Sequence, residues 1–383
     1  MARTASGPLA GLKVLEVAQF AAGPFPALLL ADFGADVVKV EPPGGDGFRA
    51  WPPLVDGYSL SFAVMNRNKR SIELDLKSPA GRERFLQLAA KADVIVENNR
   101  PGALDRLGLG FEDVKRVQPR IVYCSVSGYG HTGPYATRGA FDVAVQAISG
   151  YMSVTGDETG QPAKCGVPVA DVMSGVYAAF GVMVALEEVR KTGAGRHVDC
   201  SMLACMLESA SLQLGELWGT GKPPKRLGSR HARNAPYRAF EASDGAFVIA
   251  AGTDGLWQKV CDVAGRPELK KDERFSTVAK RHREDNNITA LLQPVFRTRP
   301  AGAWISDFEK AGVPCAPVYD FAQVCEDPHV KASGQIAEVT LPGGKRVPTV
   351  GNALRITGCN FEVRHNPPRL AEHQDEVFKE WLS

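Results

Sequence analysis

The chain is short of charge imbalance. Its 383 residues carry 45 Lys and Arg against 43 Asp and Glu, a formal net charge of +2, which removes any bulk attraction to nucleic acid or to an anionic membrane surface. An anionic ligand must therefore be met by a local cluster of basic residues. Eight cysteines are present (Cys124, Cys165, Cys200, Cys205, Cys261, Cys315, Cys325, Cys359), but no CxxC pair. That spacing favours reduced thiols over a disulfide framework or a zinc site. No Walker A loop occurs, which argues against a nucleoside triphosphate. No stretch nears ~18 uninterrupted apolar residues, and the opening "MARTASGPLAGLKVLEVAQF" has no continuous apolar core of the signal-peptide kind. The expectation is a soluble, cytoplasmic protein. Internal repeats and low-complexity segments are also missing.

What is present is an ordinary globular mixture, 44% hydrophobic and 23% charged, long enough for roughly two domains. "LKVLEVA" (Leu12–Ala18) reads as a buried strand, followed by a Gly23–Pro24 turn, a short helix through Leu30 and a second strand, "ADVVKVE". "KADVIVEN" (Lys91–Asn98) and "PRIVYCSVSGYG" (Pro119–Gly130) are further β-rich runs, preceded by helical stretches such as "PAGRERFLQLAA". This alternation predicts an α/β fold with an open parallel sheet, whose ligands lie beyond the carboxyl ends of the strands. A Pro-, Gly-, Lys- and Arg-rich stretch, Gly219–Phe240, marks a linker. "YRAFEASDGAFVIAAG" then predicts two strands about an Asp244–Gly245 hairpin turn, with helices to about Lys310 and a β-rich tail. The expected organisation is a large domain over residues 1–218, a linker and smaller α+β domain over 219–330, and a C-terminal segment over 331–383.

Three features can carry chemistry. In "GVPVADVMSG" a lone acid, Asp171, opens a long apolar helix that stops at Gly193 after Arg190 and Lys191. It reads either as an N-cap or as a nucleophile kept ionised by the helix dipole, and the two readings are compatible. Gly166, Ala170 and Gly175 leave room around it for an acyl group. Second, Lys77, Arg100, Arg106 and Arg138 fall near predicted strand ends, where they can bind phosphates or simply be solvated. Third, "RLGSRHARNAPY" brings Arg230, His231 and Arg233 into one loop, either as a clamp for a substrate carboxylate or as a soluble linker. His131, inside the Gly-rich "GYGHTGP", reads as structural or exposed rather than as a general base.

The stretches "GLKVLEVAQFAAGPFPALLLADFGADVVKVEPPGGD", "NRNKRSIELDLKSPAGRERF", "ADVIVENNRPGALDRLGLG", "VSGYGHTGPYATRGAFDVAVQAISG" and "PVADVMSGVYAAFGVMVALEEVRKTGAGRHVD" together resemble the class III CoA-transferases, the family of formyl-CoA transferase and carnitine CoA-transferase. The likeness runs from about Gly11 to Leu203. It implies a Rossmann-like large domain plus a smaller domain, two chains interlocked as a homodimer, and a C-terminal segment returning to the large domain. It implies Asp171 as the nucleophile, which passes through an aspartyl anhydride and an aspartyl-CoA thioester. It further implies coenzyme A, arriving as an acyl-CoA, as the ligand, with no metal and no redox cofactor. CoA-contacting positions carry over to Gln19, Phe20, Ala21, Ala22, Leu74, Lys77, Asn98, Asn99, Arg100 and Arg106, and Arg138 lies near the family's lysine. Some members place an arginine where this chain has Pro42. The related α-methylacyl-CoA racemases place their catalytic histidine where this chain has Phe141, next to Asp142, which disfavours racemase chemistry. The Gly-rich lid of the formyl-CoA transferases is absent, and the Arg230–Arg233 loop occupies that region. The expected activity is therefore transfer of CoA from an acyl-CoA such as succinyl-CoA to a small carboxylic, potentially dicarboxylic, acid. The alternatives are a racemase or epimerase, or a catalytically inactive CoA-binding protein.

Overall fold

The computed structural model describes residues 7–383. The chain divides into two compact units. One holds the residues through Met152, Lys164–Pro223 and His329–Ser383; the other holds Ser153–Ala163 and Pro224–Pro328.

In the first unit the chain runs β1 (Lys13–Val17), α1 (Pro24–Asp32), β2 (Asp36–Glu41), β3 (Lys69–Glu73), α2 (Pro79–Ala89), β4 (Val94–Glu97), β5 (Val122–Ser127), α3 (Asp142–Ile148), α4 (Val169–Thr192), β6 (Arg196–Ser201) and α5 (Met202–Ser209), and ends in α6 (Gln374–Leu382). The six strands form one sheet in the order β3-β2-β1-β4-β5-β6, every neighbouring pair parallel. This is the α/β architecture that the alternating elements imply. Strands β4 and β5 are buried along their whole length, as expected for a sheet covered on both faces. Helices α1, α4 and α5 bury Ala27, Leu30, Ala178, Val182, Cys205 and Met206 on one face. On the other, α2 and α6 bury Phe85, Leu88, Val377 and Trp381.

Local chemistry sets the helix ends. Ser78 accepts the Gly81 N–H at 3.0 Å in front of Pro79, and Gly193 ends α4 at φ +71°, where a side chain would be strained. Helix α6 is fastened by ions as well as by packing. Arg70 bonds Asp36, Glu376 and Glu380, and the Trp381 Nε1–H donates to Asp36 at 2.9 Å.

Helix α4 is long and apolar enough to cross a membrane, with a mean hydropathy of 1.8 over 18 residues. Its inner side nonetheless packs into the sheet core through Ala178, Val182, Leu186 and Val189. Its outer side leaves Val176, Phe180, Met183 and Val184 exposed.

In the second unit, strands Tyr237–Glu241 and Ala246–Ala250 pair antiparallel. They join through Ala242–Gly245, where the Ala242 N–H reaches the Gly245 carbonyl at 2.7 Å. Cys315–Pro317 adds a third strand, and the helices bury Trp257, Phe296, Trp304 and Phe308 against them.

Candidate active site

The strand order reverses between β1 and β4. Loops leaving the carboxyl ends of these two strands turn to opposite sides, which opens a crevice where α/β sheets bind ligands. A cleft of about 730 Å³ lies there. Gln19–Ala22 after β1, Asn98–Pro101 after β4, Ser127 and Gly128 at the end of β5, and Arg138–Phe141 ahead of α3 line it, together with Asp171 of α4.

The β1 loop is held in place by side chains. Asn98 grips Gln19 at both ends: its Oδ1 accepts the Gln19 N–H at 2.9 Å and its Nδ2 donates to the Gln19 carbonyl at 2.8 Å. Asn99 donates to the Val17 carbonyl at 3.1 Å. The two asparagines expected to contact CoA thus spend their amide groups on the wall of the cleft. Gly23 allows this closeness, because a Cβ there would stand 2.7 Å from the Asn98 side chain. Phe20 adopts φ +65°, a conformation costly for a non-glycine residue, and Asp46 fixes it by accepting the Phe20 N–H at 3.2 Å. Beneath the loop, Lys39 bonds Glu16, Asp46 and the Ala18 carbonyl at 2.7–2.8 Å, and all three side chains are fully shielded from solvent. Lys69 completes this group with a 2.7 Å contact to Glu16. Burial pushes the Lys69 ammonium down to about 8.

Asp171 does not cap its helix. α4 begins at Val169 behind Pro168, which offers no side-chain acceptor, so Asp171 sits two residues further on, in the first turn. The cap comes from another helix. Asp142 Oδ1 accepts the Ala170 N–H at 2.8 Å, satisfying one of the donors that every helix start leaves open. The nucleophile reading expects the helix dipole to favour the ionised carboxyl, and its surroundings push the other way. Burial first, and the charge of Asp142 second, push Asp171 up to about 7. Both effects disfavour the anion. Of the small residues thought to make room for an acyl group, Gly175 serves packing instead, since a Cβ there would stand 2.7 Å from the Phe25 ring. Ala170 is fully buried, and Gly166 faces open space.

The structure thus brings Gln19, Phe20, Ala21, Ala22, Asn98, Asn99, Arg100, Arg138 and Asp171 to one cleft. Arg100 passes close to Gly139, where a Cβ would stand 3.1 Å from its guanidinium, and Arg138 stacks on Tyr135 at 3.7 Å. Three expected residues are not on the cleft wall. Leu74 is buried in the core behind β3, and Lys77 and Arg106 are exposed beyond β3 and β4. In the second unit, Arg230 meets Glu158 at 3.1 Å and Asp285 at 3.6 Å. His231 stacks on Tyr237 at 4.6 Å, and the Arg233 N–H donates to His231 Nδ1 at 3.1 Å. The backbone N–H of His131 bonds Asp199 at 2.9 Å, and His131 does not line the cleft. Sequence reasoning missed Gly128, Gly139, Ala140 and Met202 as cleft residues. It also missed the cap from Asp142; only the adjacency "FD" ahead of a helical run hinted at it. Among the described residues, no group of three or more His, Cys, Asp or Glu is arranged to hold a metal ion.

A family model described as CoA-transferase family III matches residues 9–374. The chain belongs to this family. As a family III CoA-transferase it is 39% identical over 380 residues to the acetyl-CoA:oxalate CoA-transferase of Acetobacter aceti, covering 98% of this chain and 96% of that one. It is 36% identical over 377 residues to the succinyl-CoA:glutarate CoA-transferase of Homo sapiens, covering 98% and 86%. It is also 36% identical to the succinyl-CoA:mesaconate CoA-transferase of Haloarcula hispanica, covering 98% and 96%. Among solved structures, a CAIB/BAIF family protein from Brucella suis superposes with a TM-score of 0.88 at 38% identity, covering 98% of this chain and 99% of that one. This family III CoA-transferase is accordingly an enzyme, and CoA transfer between carboxylic acids is the activity its relatives' names share.

Proposed function

We propose that the enzyme moves CoA from an acyl-CoA, with succinyl-CoA as donor, to a small dicarboxylic acid, and that Asp171 is the nucleophile. The observation that carries this reading is the half-buried carboxyl of Asp171 in the wall of the switch-point cleft. Its pKa, raised to about 7, leaves a useful fraction ionised at neutral pH yet gives a more basic oxygen than an ordinary aspartate.

In the proposed sequence a carboxylate oxygen of Asp171 attacks the thioester carbonyl and the C–S bond breaks, giving a mixed anhydride and CoA thiolate. The thiolate attacks Cγ of Asp171, expels the donor acid and leaves an aspartyl-CoA thioester. The acceptor carboxylate attacks Cγ in turn, and the released thiolate attacks the acceptor carbonyl, restoring Asp171. No proton is gained or lost. Partial burial of the carboxyl limits the water that would hydrolyse the anhydride, while Arg100 and Arg138 give the cleft positive charge for CoA phosphates. Support for a dicarboxylic acceptor comes from the relatives named for glutarate, oxalate and mesaconate. The Arg230 loop adds none, because Glu158 and Asp285 already match its charge. Phe141 lines the cleft and has no atom that accepts a proton, which speaks against racemase chemistry.

Incubation with succinyl-CoA in the absence of an acceptor, followed by hydroxylamine, is expected to leave a hydroxamate on the peptide containing Asp171, read by mass spectrometry. Ongoing exchange between succinyl-CoA and an added acid with that peptide unmodified would overturn the reading.

We further propose that the enzyme is a homodimer, interlocked as the family resemblance implies. Val176, Phe180, Met183 and Val184 recur at helical spacing on the outer side of α4, with Phe180 66% exposed. A stripe of this kind marks a surface that another chain covers. Sedimentation is expected to give twice the chain mass, and a monomeric wild-type enzyme with full activity would remove the proposal.

A further inference from the structure

Two backbone N–H groups bracket the segment that leads into Asp171, and one side-chain pair on α3 holds both. Asp142 Oδ1 accepts the Ala170 N–H at 2.8 Å. Asp142 Oδ2 accepts from Gln146 Nε2 at 2.7 Å, and Gln146 Oε1 accepts the Cys165 N–H at 2.8 Å. Gln146 is fully buried, so no water substitutes for its bonds, and its amide orientation is forced: oxygen toward Cys165, nitrogen toward Asp142. Asp142 is itself the first residue of α3. Its carboxylate thus lies at the positive ends of two helices, where backbone dipoles attract a negative charge, while Pro168 supplies no cap of its own.

We propose that Asp142, acting with Gln146, is the positioning residue for the nucleophile: a carboxylate–carboxamide clamp that fixes both ends of the 165–170 segment and so sets where the Asp171 carboxyl stands in the cleft. The inference rests on the reading of Asp171 as nucleophile. Asp142 takes no part in bond making. It works through the Ala170 N–H, one peptide away from the reacting side chain. A second consequence follows from its charge, which stands beside Asp171 and raises its pKa. The other charged groups facing this site are Arg100 and Arg138, from the loops after β4 and before α3.

The clamp can be broken and rebuilt. In Asp142→Asn one side-chain oxygen still accepts the Ala170 N–H, but the new NH₂ confronts the Gln146 NH₂. Flipping Gln146 relieves that clash only by turning its NH₂ onto the Cys165 N–H, so one tie is lost in either arrangement. In Asp142→Asn/Gln146→Glu, the Glu carboxylate accepts from both the Asn NH₂ and the Cys165 N–H, and every bond returns with the charge moved one helical turn away. Asp142→Asn is expected to lower kcat by about 10- to 100-fold, the effect of a misplacement on the order of 1 Å, with KM for succinyl-CoA little changed. The double variant is expected to recover kcat to within a few-fold. Removing the neighbouring anion also moves the acidic limb of the kcat–pH profile to lower pH in Asp142→Asn, and moving it to position 146 displaces the limb less in the double variant.

Wild-type kcat with an unmoved acidic limb in Asp142→Asn would overturn the proposal, as would a kcat loss that the double variant does not restore. Should Asp142→Asn not fold, the double variant, which keeps every hydrogen bond, carries the test by itself: near-wild-type kcat with the limb displaced supports the clamp, and low kcat sinks it. Failure of the underlying reading is told apart by Asp171→Asn. If that variant keeps full activity, Asp171 is not the nucleophile; if it is inactive while Asp142→Asn is unaffected, only the clamp is wrong.

Discussion

Asp171→Asn is expected to abolish CoA transfer, by at least about a thousandfold, because an amide cannot take the acyl group. The same substitution is expected to make the protein more stable above neutral pH. In the unfolded chain the carboxyl ionises at its ordinary 3.8, whereas in the fold it keeps its proton to about 7. The folded state therefore binds more protons across that interval, and stability falls as pH rises through it. Below 3.8 both states are protonated and nothing is lost; above 7 the whole penalty is present. The full shift corresponds to about 4 kcal/mol, and partial solvent access reduces the expected gain to about 2 kcal/mol at pH 8. Asparagine has no charge to desolvate. Thermal melting should show Asp171→Asn above the wild type at pH 8, with a much smaller difference at about pH 4. An equal difference at both pH values would mean that ionisation of Asp171 is not the cause. A catalytic group held against its own solvation is a common source of such a trade between activity and stability.

Lys39→Met is expected to be the most damaging substitution away from Asp171. Lys39 is fully buried, and although burial lowers its proton affinity, Glu16, Asp46 and Glu41 raise it further, so the ammonium stays charged. Removing it leaves Glu16 and Asp46 in the core with only Lys69 beside Glu16. Breaking a buried ion pair from one side costs about 3–5 kcal/mol. The damage should reach the cleft, because Lys39 also holds the Ala18 carbonyl and Asp46 holds Phe20 in its left-handed conformation. A drop in melting temperature together with a raised KM for the acyl-CoA is expected. Lys39→Met/Asp46→Asn should lose less, since the asparagine side chain keeps an oxygen for the Phe20 and Phe48 N–H groups without burying a charge. A neutral Lys39→Met would show that the ions do not hold the loop.

The same residues show what was readable early. The β-branched runs of β1, β2, β4 and β5 and the helices between them predict a parallel sheet, because a strand covered on both faces must be apolar along its length. Asp171 stood out as a lone acid opening a long apolar helix, a place that suits either an N-cap or a nucleophile. Buried ions were harder to see. Lys39 and Lys69 look like surface charges in the sequence, and only the packing of β1, β2, β3 and the turn after β2 brings Glu16, Asp46 and both ammonium groups together in contacts of 2.7–2.8 Å.

The one-dimensional pattern determined the layered α/β architecture and pointed to a cleft at the carboxyl edge of the sheet, since periodicity and local composition act over neighbouring residues. The tertiary structure alone decided that Asn98 holds the β1 loop across 79 residues, that Gly175 serves Phe25, and that the cap of α4 comes from Asp142, 28 residues upstream. Each of these is a contact between segments distant in sequence. Such contacts exist only once the sheet has brought its carboxyl-end loops together, and no local preference encodes which partner a free backbone donor will meet there.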